Sequence, residues 1–95
     1  IDKKNYFIKD VVEKPSIKTA PSNKAVIGRY ILPKTIFSKL ITQKPGKGGE
    51  FHITDAIQSL IKEKNKFIAH NFSGKYLDCG SMHGYIKSTL EIAKL

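Results

Sequence analysis

The chain has 95 residues, of which 40% are hydrophobic and 26% charged, which is typical of one water-soluble globular domain or a piece of one. Its apolar stretches are too short for a membrane span, and residues 1–6 lack the apolar core of a signal peptide. The single cysteine, Cys79, excludes a disulfide-stabilised secreted scaffold. We therefore expect a cytoplasmic location and no membrane partner.

Lysines dominate the charge, since 17 Lys and Arg against 8 Asp and Glu give a formal net charge of +9. Such a balance supports attraction to phosphate, nucleic acid or an anionic surface. The lysines are spread along the chain, however, and a single arginine, Arg29, is available for bidentate contacts with phosphate or guanine. Specific nucleic-acid binding is therefore not favoured.

The first part of the chain predicts two strands and a helix. Residues 6–12 are mostly apolar and precede Pro15, so we expect one strand, or one broken at residues 9–10. Residues 25–32 predict a buried strand, in which Gly28 permits close approach of a backbone or ligand, or forms a bulge. Apolar residues at helical spacing then predict a short helix over 33–42.

A glycine-rich loop follows at residues 44–50. It has two interpretations, an anion-cradling loop or a flexible linker. No Gly-Lys-Ser/Thr sequence closes it, so it is not a P-loop, and the linker is favoured.

The second part of the chain predicts two helices and a hairpin. Asp55 and Gln58 resemble a capping box, so a helix should begin at Asp55. Two apolar runs, 67–72 and 75–78, flank Ser-Gly and predict a β-hairpin. Ser81 can cap a last helix, whose expected apolar face is listed here: Met82, Ile86, Leu90 and Ala93. The interleaved elements predict an α/β or α+β order.

Glu13 and Lys14 are the first candidates for chemistry. They follow the apolar residues of the first predicted strand and precede Pro15, so they are expected at a strand end. A carboxylate there can accept hydrogen bonds from sugar hydroxyls, and a lysine ammonium can bind an anion. A surface acid and base beside a turn is the alternative, and residue types alone favour it.

Metal sites are the second possibility. The histidines and Cys79 lack convincing zinc-ligand spacing. Asp78 is more suggestive, because an acid at the end of an apolar strand, before small residues and a helix start, can serve as a ligand of Mg²⁺. A single carboxylate does not complete such a site.

Seven segments together resemble the bacterial UTP–glucose-1-phosphate uridylyltransferases, also called UDP-glucose pyrophosphorylases. They occur in the family's order and spacing over nearly the whole chain. The segments are Val-Glu-Lys-Pro at 12–15, Ala-Pro-Ser-Asn at 20–23, Gly-Arg-Tyr-Ile-Leu at 28–32, Lys-Pro-Gly at 44–46, Gly-Glu at 49–50, Thr-Asp-Ala-Ile at 54–57 and Tyr-Leu-Asp-Cys-Gly at 76–80.

The resemblance implies an α/β fold, the C-terminal part of a Rossmann-like sugar-nucleotidyltransferase with a mixed sheet and flanking helices. In this family glucose 1-phosphate attacks the α-phosphorus of UTP, and the products are UDP-glucose and pyrophosphate. The reaction uses Mg²⁺ as its cofactor. Glu13 would bind the glucose hydroxyls. Lys14 would bind the sugar-linked phosphate and would also be the catalytic group. Gly28 would let the backbone approach the sugar, and Asp78 would be one of two aspartates on Mg²⁺.

Two further residues, Glu50 and Asp55, match family motifs and are expected to support the loop and the helix start first. The family's N-terminal part, which carries the nucleotide loop and the other aspartate, is absent from residues 1–95. We therefore expect this segment to be inactive alone and to need the N-terminal part of the enzyme as its partner. We also expect it to self-associate through exposed apolar strand edges. The alternative is a basic binding or assembly module without catalysis and with nonspecific nucleic-acid affinity.

Overall fold

The computed structural model describes residues 5–95, which contain two short strands and three helices. The strands are β1 (Asn5–Phe7) and β2 (Ile68–His70). The helices are α1 (Ile36–Thr42), α2 (Ile53–Lys62) and α3 (Met82–Ala93), and a short 3₁₀ segment, Lys47–Gly49, lies between α1 and α2. Helices and strands therefore mix along the chain, as the sequence pattern predicts.

The sheet of the described residues is one antiparallel pair, β1 with β2. Tyr6 lies opposite Ala69, and the Ile8 N–H continues the pairing by donating to the Phe67 carbonyl at 2.9 Å. A mixed sheet needs a parallel pair as well, and residues 5–95 contain none. The mixed sheet therefore stays a prediction for the complete fold.

The first strand is shorter than predicted, because it ends at Phe7. Beyond it, the Asp10 carboxylate accepts the N–H of Val11 at 2.8 Å, which gives the backbone a local alternative to a strand ladder. Glu13 and Lys14 consequently lie in a bend after an irregular segment. The predicted position at a strand end is wrong.

Two other strand predictions are also wrong. Residues 25–32 form a mostly exposed irregular segment, since no strand in the described part of the chain pairs with them and Gly28 turns the backbone at φ 79°. The predicted hairpin does not form, because β2 pairs with the distant β1 and residues 75–78 adopt no strand. Long-range pairing has replaced the local turn.

The core lies between α1 and α2. Its buried apolar residues in the described chain are Ile36, Ala56, Ile57 and Leu60, and they are surrounded by partly buried Val11, Leu32, Leu40, Ile53, Ile61 and Phe67. The spacing of apolar residues predicts Ile57, Leu60 and Ile61 on the buried face of α2. Ile57 and Leu60 are buried, whereas Ile61 is only partly buried. This core fixes α2 as the platform on which the preceding loops pack.

The start of α3 follows the prediction, whereas the start of α2 departs from it. The Ser81 hydroxyl accepts the Gly84 N–H at 3.0 Å, so the predicted cap of α3 is confirmed. α2 instead begins at Ile53, with extended His52 as its N-cap residue. Asp55 lies inside the first turn, so the predicted capping box is wrong.

The predicted apolar face of α3 exists but is not buried. Met82, Ile86 and Leu90 are all more than half exposed. Within residues 5–95, α3 packs on neither the strands nor the other helices and contacts the irregular segment before it. No helix among these residues has the length and apolar character needed to cross a membrane.

Candidate functional site

The Glu13 carboxylate is held by residues at the start of α2. Its Oε2 atom accepts a hydrogen bond from the Thr54 hydroxyl at 2.7 Å, across 41 residues of sequence. Its Oε1 atom lies 4.0 Å from Nδ1 of His52. The Glu13 side chain is 21% exposed, so solvent or a ligand can still reach it.

Lys14 adopts an unusual backbone conformation beside this carboxylate. Its φ of 41° lies in the left-handed region, which is uncommon for a residue other than glycine. The ammonium of Lys47 donates a hydrogen bond to the Lys14 carbonyl oxygen. Because such a conformation costs about 1–3 kcal/mol, the surrounding contacts must maintain it.

The glycine-rich loop forms the wall next to Glu13 and Lys14. The Gly46 N–H donates to the Glu50 carbonyl at 2.7 Å, and the Gly49 N–H donates to the Gly46 carbonyl at 3.0 Å. The ring of His52 donates from Nε2 to the Lys47 carbonyl at 2.9 Å. The loop is closed on itself and packs against Lys14, so the linker interpretation is wrong.

We call Glu13, Lys14, Lys47, His52 and Thr54 the Glu13 cluster. It brings the Glu13 carboxylate and the Lys47 ammonium, which binds the Lys14 carbonyl, to the junction of two loops and the first turn of α2. A carboxylate can accept hydroxyl hydrogens, and lysine ammonium groups can neutralise a phosphate. The arrangement can therefore bind a polyhydroxylated anion.

Glu50 and Asp55 border the Glu13 cluster. The Glu50 side chain is 74% exposed, and its Oε2 lies 4.0 Å from Nε2 of His52. Asp55 packs against Gly46 so closely that a Cβ at Gly46 would collide with its carboxylate. The supporting role of Glu50 and Asp55 for the loop and the helix start stays a prediction.

Gly28 and Asp78 form no hydrogen bond or ion pair with the Glu13 cluster among the described residues. Apart from its two neighbours in the chain, no described residue lies within 4 Å of the position that a Cβ of Gly28 would take, and its predicted approach to the sugar stays a prediction. Asp78 is exposed, and its Oδ1 accepts the Gly80 N–H at 2.9 Å. No hydrogen bond in the described part of the chain joins either residue to Glu13 or Lys14.

The donor set around Asp78 fits one ligand of a metal ion. Residues 5–95 contain no group of three or more His, Cys, Asp or Glu side chains placed to hold a metal. Asp78 still presents Oδ2, which accepts no hydrogen bond from these residues. Hard carboxylate oxygens suit Mg²⁺, which keeps waters and often uses only one or two protein carboxylates.

Sequence reasoning missed Thr54, His52 and Lys47 as members of the Glu13 cluster. Their contacts with residues 13 and 14 span 33 to 41 residues of sequence, and no local pattern reports such a pairing. The available signal was the position of Thr54 within the Thr-Asp-Ala-Ile segment. Its hydroxyl at a helix start is free to bond outside its own helix.

Comparison with known proteins identifies the family. The family described as Nucleotidyl transferase matches residues 1–94. A UTP–glucose-1-phosphate uridylyltransferase of Pseudomonas aeruginosa is 49% identical over 82 residues, which are 86% of this chain and 29% of that protein. The uridylyltransferase of Bacillus subtilis strain 168 is 47% identical over 90 residues, which are 95% of this chain and 30% of that protein.

Solved structures agree in fold. A UDP-glucose pyrophosphorylase crystallised with UDP-glucose has a TM-score of 0.91 and 49% identity, over 99% of this chain and 35% of that one. The apo form of a UDP-glucose pyrophosphorylase gives a TM-score of 0.86 over 99% of this chain and 34% of that one. The chain thus spans about a third of the length of these relatives. It has a nucleotidyltransferase-like α/β fold and belongs to the nucleotidyl transferase family, in which the relatives it matches are UTP–glucose-1-phosphate uridylyltransferases.

Proposed function

We propose that this chain supplies the glucose 1-phosphate side of a uridylyltransferase site that makes UDP-glucose and pyrophosphate from UTP and glucose 1-phosphate. The observation that carries the proposal is the fixed pairing of Glu13 with Lys14. The Thr54 hydroxyl donates a hydrogen bond to the Glu13 carboxylate, and the Lys47 ammonium donates one to the Lys14 carbonyl. The names of the relatives, among them a structure with UDP-glucose, supply the ligand.

The chemistry assigned to these groups is positioning and charge neutralisation. Glu13 accepts hydrogen bonds from glucose hydroxyls, and the Lys14 ammonium, as the catalytic group, neutralises the sugar-linked phosphate. That phosphate attacks the α-phosphorus of UTP in line with departing pyrophosphate. Such a displacement depends mainly on alignment and on electrostatic stabilisation of the phosphates.

Asp78 is proposed to hold Mg²⁺ together with a second aspartate from outside this chain. The ion supplies Lewis-acid stabilisation of phosphate charge when it is bound. Gly28 lies in an open stretch, where its backbone is free to approach the sugar. Glu50 and Asp55 maintain the loop and the start of α2, with contact to ligand as a second role.

The remaining length of the relatives is proposed to carry the nucleotide site and to complete a Rossmann-like mixed sheet. The 95-residue chain alone is then inactive, and its N-terminal counterpart is its partner. Membership of an enzyme family disfavours the alternative of a basic binding or assembly module. We further infer a cytoplasmic location, because nucleotide sugars are made from cytoplasmic UTP.

The test is activity in a chimera in which this chain replaces the matching segment of the Pseudomonas aeruginosa relative. Lys14→Gln should lower kcat/KM for glucose 1-phosphate by about 100-fold, since it removes a charge that stabilises the transferring phosphates. Lys18→Gln removes an equal charge four residues away and should change kcat/KM by less than about threefold. Equal activity of the two variants would contradict the proposed role of Lys14.

A further inference from the structure

We propose that Thr54 is a positioning residue that fixes the Glu13 carboxylate for the sugar, an inference that rests on the proposed function. Thr54 itself does not contact the substrate. Its hydroxyl orients the group that does, by holding one carboxylate oxygen and leaving the other available. Residue 54 thereby affects how tightly glucose 1-phosphate binds.

The hydrogen bond between the two side chains is short and partly shielded. The distance from Thr54 Oγ1 to Glu13 Oε2 is 2.7 Å, and both side chains are partly buried. Hydrogen bonds to an ionised acceptor are about twice as strong as those between neutral groups. This bond can therefore select one orientation of the carboxylate over its other rotamers.

The second oxygen of Glu13 is left free by the same arrangement. Its neighbour on that side, Nδ1 of His52, lies 4.0 Å away, beyond hydrogen-bond distance. The proton of a neutral His52 is on Nε2, because that atom donates to the Lys47 carbonyl. Thr54 is thus the one hydrogen-bond donor to the Glu13 side chain among residues 5–95, and Oε1 can accept a sugar hydroxyl.

The location of Thr54 makes it a rigid support. It is the second residue of α2, two positions before Ala56, which is completely buried in the core. A separate hydrogen bond, from the Gln58 amide to the Asp10 carboxylate at 2.9 Å, ties the same irregular segment to α2. Loss of the Thr54 hydroxyl should therefore leave the segment attached and the fold intact while the carboxylate reorients.

The test is titration of the chimera, in which this chain replaces the matching segment of the Pseudomonas aeruginosa relative, with α-D-glucose 1-phosphate, measured by isothermal titration calorimetry. Thr54→Val should weaken binding about tenfold, as expected for loss of a hydrogen bond to a charged group. Thr54→Ser retains the hydroxyl and should stay within about threefold of the wild type. Thr89→Val is the matched control, because the Thr89 hydroxyl bonds the Tyr85 carbonyl within α3 and should not affect binding.

The outcomes separate this inference from the proposed function. If the wild type binds and Thr54→Val binds equally well, the positioning role is wrong and the proposed function stands. If the wild type itself does not bind, the sugar-phosphate site proposed for this chain fails, and the inference fails with it. If both Thr54→Val and Thr54→Ala lose the helical circular dichroism signal, Thr54 is a structural residue and the inference is overturned.

Discussion

Lys14 and Lys64 are the non-glycine residues with positive φ in the described chain, at 41° and 71°. Lys64 has an ordinary reason, because it ends α2: its N–H donates to the Ile61 carbonyl, and the Asn65 N–H donates to the Leu60 carbonyl, both at 3.0 Å. Lys14 ends no helix. Its conformation is maintained by a distant lysine, which is expected where a backbone is held for binding.

Among the carboxylates, Glu91 of α3 supports a prediction about pH. The hydrogen bond and charge of Lys75, with a smaller contribution from Lys94, lower the pKa of Glu91 below its ordinary value of 4.5. A carboxyl whose pKa is lower in the folded state stabilises the fold above its unfolded pKa. That contribution is lost as the pH falls through the folded pKa.

We therefore expect Lys75→Gln to raise the pKa of Glu91 towards its ordinary value. An acid titration of the Glu91 carboxyl carbon by NMR measures this directly. Lys18→Gln, at a lysine that forms no ion pair within the described residues, should leave the midpoint unchanged. An unshifted Glu91 midpoint in Lys75→Gln would show that the ion pair does not form in solution.

Individual residues also show how much of the site could be predicted from the sequence. Glu13 and Lys14 were predicted as a pair because they are adjacent and match a family motif. Thr54 and His52 were not assigned to them, since their contacts depend on how α2 packs. The pattern of a capping box predicts Asp55 as the N-cap residue, but His52 occupies that position and no side-chain cap forms there.

Helices were predicted better than strands, and the reason lies in where their hydrogen bonds go. α2 and α3 depend on local spacing and, for α3, on the local Ser81 cap, all of which the sequence contains. A strand needs a second strand to pair with, and the local sequence pattern does not identify that second strand. Residues 25–32 have the composition of a strand but no partner strand in the described part of the chain. β2 pairs with the distant β1, where Ala69 lies opposite Tyr6, 63 residues earlier.

Gly84 provides the prediction at the scale of elements. In an exposed helix, replacing glycine with alanine usually stabilises by about 1 kcal/mol. Here a Cβ on Gly84 would collide with the backbone carbonyl of Asp78, which the Ser88 hydroxyl also contacts at 3.4 Å. We expect Gly84→Ala to lower the free energy of unfolding by about 1–3 kcal/mol, because residues 78–80, here called the Asp78 turn, must move away from α3.

Urea denaturation followed by circular dichroism measures this change. Lys87→Ala, at an exposed position of the same helix, is the control and should stay within about 0.5 kcal/mol of the wild type. A more stable Gly84→Ala variant would mean that the Asp78 turn does not pack on α3 as described.

The whole molecule exposes more surface than its length warrants. Its accessible area is 8,289 Å², whereas a compact protein of this mass exposes about 5,500 Å². Its radius of gyration is 15.8 Å, against about 12 Å for a compact domain of 95 residues. Apolar residues of α3 and β1 contribute to this surface.

Self-association is the expected consequence for the isolated chain. Net charge of +9 opposes contact between copies, so association should increase as added salt screens the repulsion. Sedimentation velocity at low and high salt measures the distribution of species. Ile86→Ser, on the exposed face of α3, should reduce association, and a monomer under all conditions would contradict this expectation.

The central claim is that this chain carries the sugar-phosphate side of a divided uridylyltransferase site. The most direct measurement compares UDP-glucose formation by three purified proteins: the chain alone, the Pseudomonas aeruginosa relative without its matching segment, and the chimera that joins the two. We expect UDP-glucose from the chimera only. UDP-glucose made by the chain alone, or a folded chimera that makes none, would contradict the claim.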